Sequence, residues 1–133
     1  MKKLIFISLI GLLSSCGLLD GGGIIIDTPS IPSVNVCEHV ATDADVVTMK
    51  GKIDSQAFKD ERMQRAKSVT KGYCFVSAQV LEIMESMLFA DAQLEIAKHL
   101  YKPTTDKENY DVVVDALAHK SDRDELKNYI AQN

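Results

Sequence analysis

The decapeptide FKDERMQRAK at residues 58–67 returns thirty-one residues later as FADAQLEIAK at residues 89–98. The two agree at their Phe, Asp, Ala and Lys positions, and Met63 lies over Leu94. The segments between and after them align as well. Val80, Ile83, Met84 and Met87 fall over Tyr110, Val113, Val114 and Leu117 at an offset of thirty. A unit of about 30 residues is the signature of stacked supersecondary elements. Such a unit cannot bury its apolar face alone and packs on its neighbours. The period within each unit is helical: apolar residues recur at steps of three and four.

The expected architecture is therefore all-α, with about five short helices in stacked antiparallel helix-pair repeats, the pair being used two and a half times. Asp54 or Ser55 is placed to cap a helix running to about Thr70, with Phe58, Arg62, Ala66 and Val69 along one face. Gly72 ends it. Ser77 is a good N-cap for the second helix. Asp91 starts a third, carrying Leu94, Ala97, Leu100 and Tyr101, and Pro103 stops it. Thr105 and Glu108 have the spacing of a capping box for a fourth. Ser121 and Asp124 suit the start of a fifth, carrying Leu126 and Ile130. The helical domain is expected over residues 54–131.

Residues 36–53 read ambiguously and are expected as loop, since Asp43, Asp45 and Gly51 disfavour a helix interior. Before them, residues 16–35 hold a glycine triplet and two prolines, the composition of a flexible tether. Ile24, Ile25 and Ile26 are unusual in such a tether. They either lie against the domain or pair as a short strand.

The first fifteen residues have a different character. Lys2 and Lys3 precede an apolar run from Leu4 to Leu13, broken only by Ser8 and Gly11. Ten residues make about 15 Å of helix, half of a hydrocarbon core of about 30 Å. A basic head, a short apolar run and small residues describe a secretory signal. Leu13-Ser14-Ser15-Cys16 resembles the bacterial lipobox. That resemblance implies cleavage before Cys16, acylation of its thiol and a protein held on a lipid membrane without crossing it. Two or more acyl chains anchor stably, whereas one gives marginal binding. Gly17 stands where an aspartate marks inner-membrane retention, so the analogy favours the outer membrane. It says nothing of which side the domain faces.

Once the signal is removed, Lys2 and Lys3 are lost and 13 basic residues stand against 19 acidic ones, a net charge of −6. That balance argues against a nucleic-acid partner, which wants a clustered basic face. Of three cysteines, lipidation of Cys16 leaves Cys37 and Cys74. In an oxidising compartment these two form a disulfide, worth about 4 kcal/mol for a loop of this length, or stay as two buried thiols.

No catalytic or metal-binding residue and no cofactor is assigned. His39, His99 and His119 form no His-Glu-x-x-His pair. Cys37, Glu38 and His39 are adjacent, and neighbours in sequence rarely converge on one metal ion. Glu82, Glu85 and Glu95 fit a solvated helix face better than a pair of catalytic acids, which needs a pocket that separates their pKa values. Arg62, near the apolar stripe of its helix, needs a carboxylate partner if buried. The candidates are Asp91 or Asp115 on a following unit, with ligand recognition as the alternative role. Tyr73, Tyr101 and Tyr110 would give a binding surface if they lined a groove.

Taken in order, F-x-D-x-R-M-x-x-A-K, C-x-x-S-x-Q-V, F-x-x-x-x-L-x-x-A-K-x-x-Y, D-x-x-N-Y and a final L-x-x-Y-I resemble a helical domain-of-unknown-function family of bacterial envelope lipoproteins, the one numbered forty-four seventy-six. The likeness covers residues 55–131, from Phe58 and Arg62 through Cys74 and Tyr101 to Leu126, Tyr129 and Ile130. Gln93 departs from it, because the second unit usually carries an arginine where the first has Arg62. The resemblance implies a helical fold and an envelope location, and brings no catalytic residues. The expected function is a lipid-anchored module that binds an envelope protein or ligand. A small envelope hydrolase with unidentified carboxylates, or a structural spacer, remains as the alternative.

Overall fold

The computed structural model describes Cys37 and residues 39–133. The signal segment, Cys16 and the tether lie outside these residues. Six α-helices are present among them: α1 (Asp43–Asp54), α2 (Lys59–Thr70), α3 (Ser77–Glu85), α4 (Ala90–Tyr101), α5 (Asp111–Ala116) and α6 (Lys120–Ala131). A 3-10 turn, Lys107–Asn109, precedes α5. Consecutive helices form three pairs. The odd helices pack as one row, α1 on α3 on α5, and the even helices as a second, α2 on α4 on α6. The all-α stacked-pair fold expected from the repeat is what forms, with three full pairs.

The additional helix is α1, in the segment expected as loop. Its start is fixed by a reciprocal cap. Thr42 Oγ1 accepts the Asp45 N–H at 3.2 Å, and Asp45 Oδ2 accepts the Thr42 N–H at 2.9 Å. The Thr42 N–H and hydroxyl, both donating to Asp45 Oδ2, hold the Asp45 carboxyl below its ordinary pKa. Val46, Met49 and Ile53 are its buried residues, and they match Val80, Ile83 and Met87 at an offset of thirty-four. The longer offset and the mid-helix Gly51 conceal the repeat from a search at thirty.

Helix starts also move by a few residues. Asp54 and Ser55 end α1 and do not cap α2, whose N-cap is Phe58. Thr105 and Glu108 form no capping box: the Thr105 hydroxyl donates to the Phe75 carbonyl at 3.2 Å, and a 3-10 turn takes the place of a first helical turn. Gly72 sits where expected, after α2, at φ +84°. That left-handed conformation would strain any residue with a Cβ.

The segments that enter the three pairs run side by side. Val40 bridges Cys74, and Phe75 bridges Thr104, both in parallel. The Cys74 N–H donates to His39 O and the Ala41 N–H to Cys74 O, each at 2.9 Å. Phe75 N–H donates to Pro103 O at 3.1 Å, and Thr105 N–H to Phe75 O at 2.9 Å. Side chains reinforce this ladder. Gln79 Nε2 donates back to Ala41 O at 3.0 Å. Asp106 Oδ1 accepts the Ser77 N–H at 2.6 Å and the Ser77 hydroxyl at 3.0 Å. Each pair is thus tied to the one before it at the helix starts. Cys37 and Cys74 are joined as a disulfide beside this ladder, with their Cα atoms 5.7 Å apart.

Between the rows lies a continuous core in which Phe75, Val80, Ile83, Ile96, Val113, Val114 and Leu126 are fully buried. Each such aliphatic or aromatic side chain contributes about 1.5–3 kcal/mol relative to exposure. On the outside, lysines of one pair meet acids of the next. Lys67 pairs with Glu95 and Lys98 with Glu125, the same contact one repeat on. Gln64 stands at the acid position of the first pair and Asn128 at the lysine position of the third.

Candidate docking surface

Each pair turns from its odd to its even helix through a short bend, and the three bends lie along one edge. The residue that starts each even helix is aromatic or heteroaromatic: Phe58, Phe89 and His119 are the N-caps of α2, α4 and α6. All three have extended backbones, and none makes a side-chain cap bond. Ser, Thr, Asp or Asn would ordinarily fill such positions. Phe58 is 70% exposed, Phe89 51% and its neighbour Leu88 67%. Placing Phe58 on the buried face of its helix is therefore a reading that the structure corrects. As N-cap it lies off the helical wheel and faces solvent. Lys59 follows Phe58 and reaches towards the next bend. Its Nζ is 5.8 Å from the Phe89 ring centroid and pairs with Asp91. That pairing raises the lysine pKa and lowers the carboxyl.

Beneath the edge, the fourth residue after each N-cap clamps the bend. Arg62 Nη1 donates to Asp54 Oδ1 at 2.9 Å and to Ser86 O at 2.8 Å. Its Nη2 donates to Gln56 O at 3.0 Å and to Asp54 O at 3.3 Å. Gln93 Nε2 donates to Met87 O at 3.0 Å, and Arg123 Nη1 to Leu117 O at 2.6 Å and Ala118 O at 3.2 Å. The carboxylate partner of Arg62 is thus Asp54, on the helix before it, and neither Asp91 nor Asp115. The cause is steric: the stem runs back over its own bend, while Asp91 is held by Lys59. Arg62 has its charge and donors consumed by the fold, and Gln93 does a lesser version of the same task.

The three tyrosines do not line a groove. Tyr110 and Tyr101 are buried in the core, with ring centroids 5.0 Å apart, edge to face. Tyr110 Oη donates to Ala97 O at 2.6 Å, and burial pushes its phenol pKa up. Tyr73 is half-buried beneath His39, ring to ring at 4.8 Å. The disulfide occupies the Cys37 sulfur, so it offers no thiolate to a metal. Among the described residues no group of three or more His, Cys, Asp or Glu is placed to hold an ion. Glu82 accepts from Lys50 at 3.3 Å, Glu95 pairs with Lys67, and Glu85 is exposed on α3. Desolvation, followed by the charge of Lys67, lowers the His99 pKa. Surface depressions of about 290 to 390 Å³ occur along α2 and beside Cys74 and Pro103, all open to solvent and none bringing two unpaired acids together. No described helix is long and apolar enough to cross a membrane.

The family profile described as a domain of unknown function, DUF4476, matches residues 41–130. The chain belongs to the DUF4476 family. The match takes in the whole of α1, which the motif resemblance beginning at residue 55 omits. No curated protein and no solved structure matches the chain. Within this DUF4476 chain, sequence reasoning reached Arg62 and the disulfide pair but missed the exposed edge. The available signal was an aromatic residue immediately before each even helix, at the spacing of the repeat.

Proposed function

We propose that this DUF4476 chain is a lipid-anchored envelope lipoprotein whose helix array docks another envelope protein on the edge formed by Phe58, Leu88 and Phe89. The observation that carries this reading is that three large apolar side chains, Phe58, Leu88 and Phe89, are exposed on two successive bends that are clamped from below. Aromatic anchors on a rigid base, rimmed by charge, are the usual core of a protein interface. Scattered single exposed apolar residues would need no explanation; exposed phenylalanines recurring at the same position of successive units do. The lipobox resemblance supports attachment through Cys16, and Gly17 supports the outer membrane.

The test replaces Phe58 or Phe89 with a photoreactive phenylalanine analogue in the native host and irradiates intact cells, with Val112 as a control position. One protein adduct common to positions 58 and 89 and absent at 112 is the expected result. Failure of both positions to capture a protein removes the docking reading. Intact-mass analysis of the membrane-extracted protein tests the anchor separately: a bare Cys16 thiol or a retained leader removes it.

A further inference from the structure

Each odd helix ends on an acid at the same place in the repeat. Asp54 is the last residue of α1 and Glu85 the last of α3, thirty-one residues on; Asp115 follows after a further thirty, near the end of α5. An acid in the last turn meets the negative end of the helix dipole, where a cation is preferred. The first pair resolves this internally, since Arg62 Nη1 donates to Asp54 Oδ1 at 2.9 Å. In the second pair the place of Arg62 is taken by Gln93, which brings no charge. Glu85 is exposed, and no cation among the described residues pairs with it. The two cations that reach this bend are engaged elsewhere. Lys59 pairs with Asp91, and Arg62 holds Asp54 while donating to the Ser86 carbonyl. Asp115 is left alone in the same way, because Arg123 donates to the Leu117 and Ala118 carbonyls.

The second bend joins this unpaired acid to two large exposed apolar side chains. At the places of Leu88 and Phe89, which are 67% and 51% exposed, the first bend has Ala57 and Phe58 and the third has Ala118 and His119. Glu85 precedes Leu88 by three residues. A partner that covers Leu88 therefore removes water from Glu85 as well. Desolvating an unpaired carboxylate is costly, so a purely apolar segment is a poor occupant. A segment with a cation beside its apolar anchor completes the second bend as Arg62 completes the first.

We infer that the docked protein presents an arginine or lysine to Glu85, next to an apolar side chain that packs on Leu88 and Phe89. The inference rests on the docking reading and adds to it the chemistry of the partner. A guanidinium suits the place best, because its planar fork meets a carboxylate with two N–H bonds. The neighbouring bend adds charge of the same sign: exposed Asp60 and Glu61 at the start of α2 outnumber Lys52 at the end of α1. A cationic segment is drawn to this edge, whereas an acidic one is repelled at Glu85, which gives selectivity by exclusion.

The test keeps the full chain in its native host, with the photoreactive phenylalanine analogue at position 89, and reads the yield of the protein adduct. Glu85→Gln is expected to lower that yield about three-fold and Glu85→Lys about ten-fold. Gln93→Arg is expected to lower it too, because the new guanidinium engages Glu85 from within the fold. The same change should raise the urea midpoint of the purified chain, so lost folding is not the cause. Glu108→Gln, an exposed acid in the 3-10 turn that enters the third pair, serves as control and leaves the yield unchanged. Mapping the captured site by mass spectrometry then identifies the arginine or lysine beside it in the partner. Replacing that residue by glutamate is expected to restore capture by the Glu85→Lys chain. An undiminished yield in both Glu85→Lys and Gln93→Arg, or failure of the charge exchange to restore capture, overturns the inference and leaves the docking reading standing. An adduct between two copies of this chain overturns it as well, and absence of any adduct at positions 58 and 89 removes both readings.

Discussion

The bends of the first and second helix pairs occupy the same place in the repeat and are held very differently. In the first, Arg62 reaches four acceptors in the flanking bends, and the Ser55 hydroxyl donates to Lys52 O. In the second, Gln93 makes one bond, and the equivalent hydroxyl, Ser86 Oγ, is buried with no partner. The disulfide ties the segment entering the first pair to the segment entering the second. A repeat therefore preserves the path of the chain, through its apolar spacing, more closely than it preserves the polar groups that secure it.

The disulfide gives the largest expected break in this comparison. Replacing Cys37 and Cys74 by serine frees a loop of 37 residues and should lower stability by about 4 kcal/mol, read from the urea midpoint. Arg62→Ala comes next, at about 3 kcal/mol, because it strands the Ser86 and Gln56 carbonyls as well as Asp54. Gln93→Ala should cost only about 1 kcal/mol; equal losses at the two positions would show that the clamps are equivalent after all.

Acid should expose the joint between the second and third pairs. Partial burial pushes the Asp106 carboxyl up, but the Ser77 N–H and hydroxyl and the Asn109 amide outweigh it and hold it below the usual carboxylate range. The folded state therefore releases this proton more readily than the unfolded chain, whose value is about 3.9. Its contribution is complete above that pH and is lost as the pH falls through the lower folded value. Asp106→Asn keeps an acceptor for Ser77 and cannot titrate, so its melting temperature should fall less steeply below pH 4. Identical acid limbs for the two proteins would refute this. The smallest effect has the opposite sign. Ser86→Ala removes a buried, unpartnered hydroxyl and should leave stability unchanged or raise it by up to about 1 kcal/mol, whereas Ser55→Ala removes a satisfied one and should not raise it.

Much of the fold was legible because core residues obey spacing. Val80, Ile83, Leu94, Ala97, Val113 and Val114 announce helices whatever their caps. The path through residues 36–53 was not, since Gly51 and three short acidic or polar stretches mask a helix that tertiary packing on Val46, Met49 and Ile53 stabilises. Of the candidate site, Arg62 was readable as a residue in need of a carboxylate, but not which one, because a side chain of that length reaches backwards as easily as forwards. The tyrosines misled for a related reason: Tyr110 satisfies its hydroxyl on a core carbonyl, so its polar atom gives no sign of exposure. Phe58 misled in the reverse sense, an apolar residue placed in water by its position one step ahead of its helix.

The lysine-to-acid contacts along the outer surface run out at both extremities, where Gln64 and Asn128 stand in for the charged partners. A fourth copy of the motif, whether fused at either terminus or offered by another molecule end to end, would meet amides where it needed opposite signs. Among the described residues the ladder of charges is thereby confined to the two joints between three helix pairs, with an amide at each outer position.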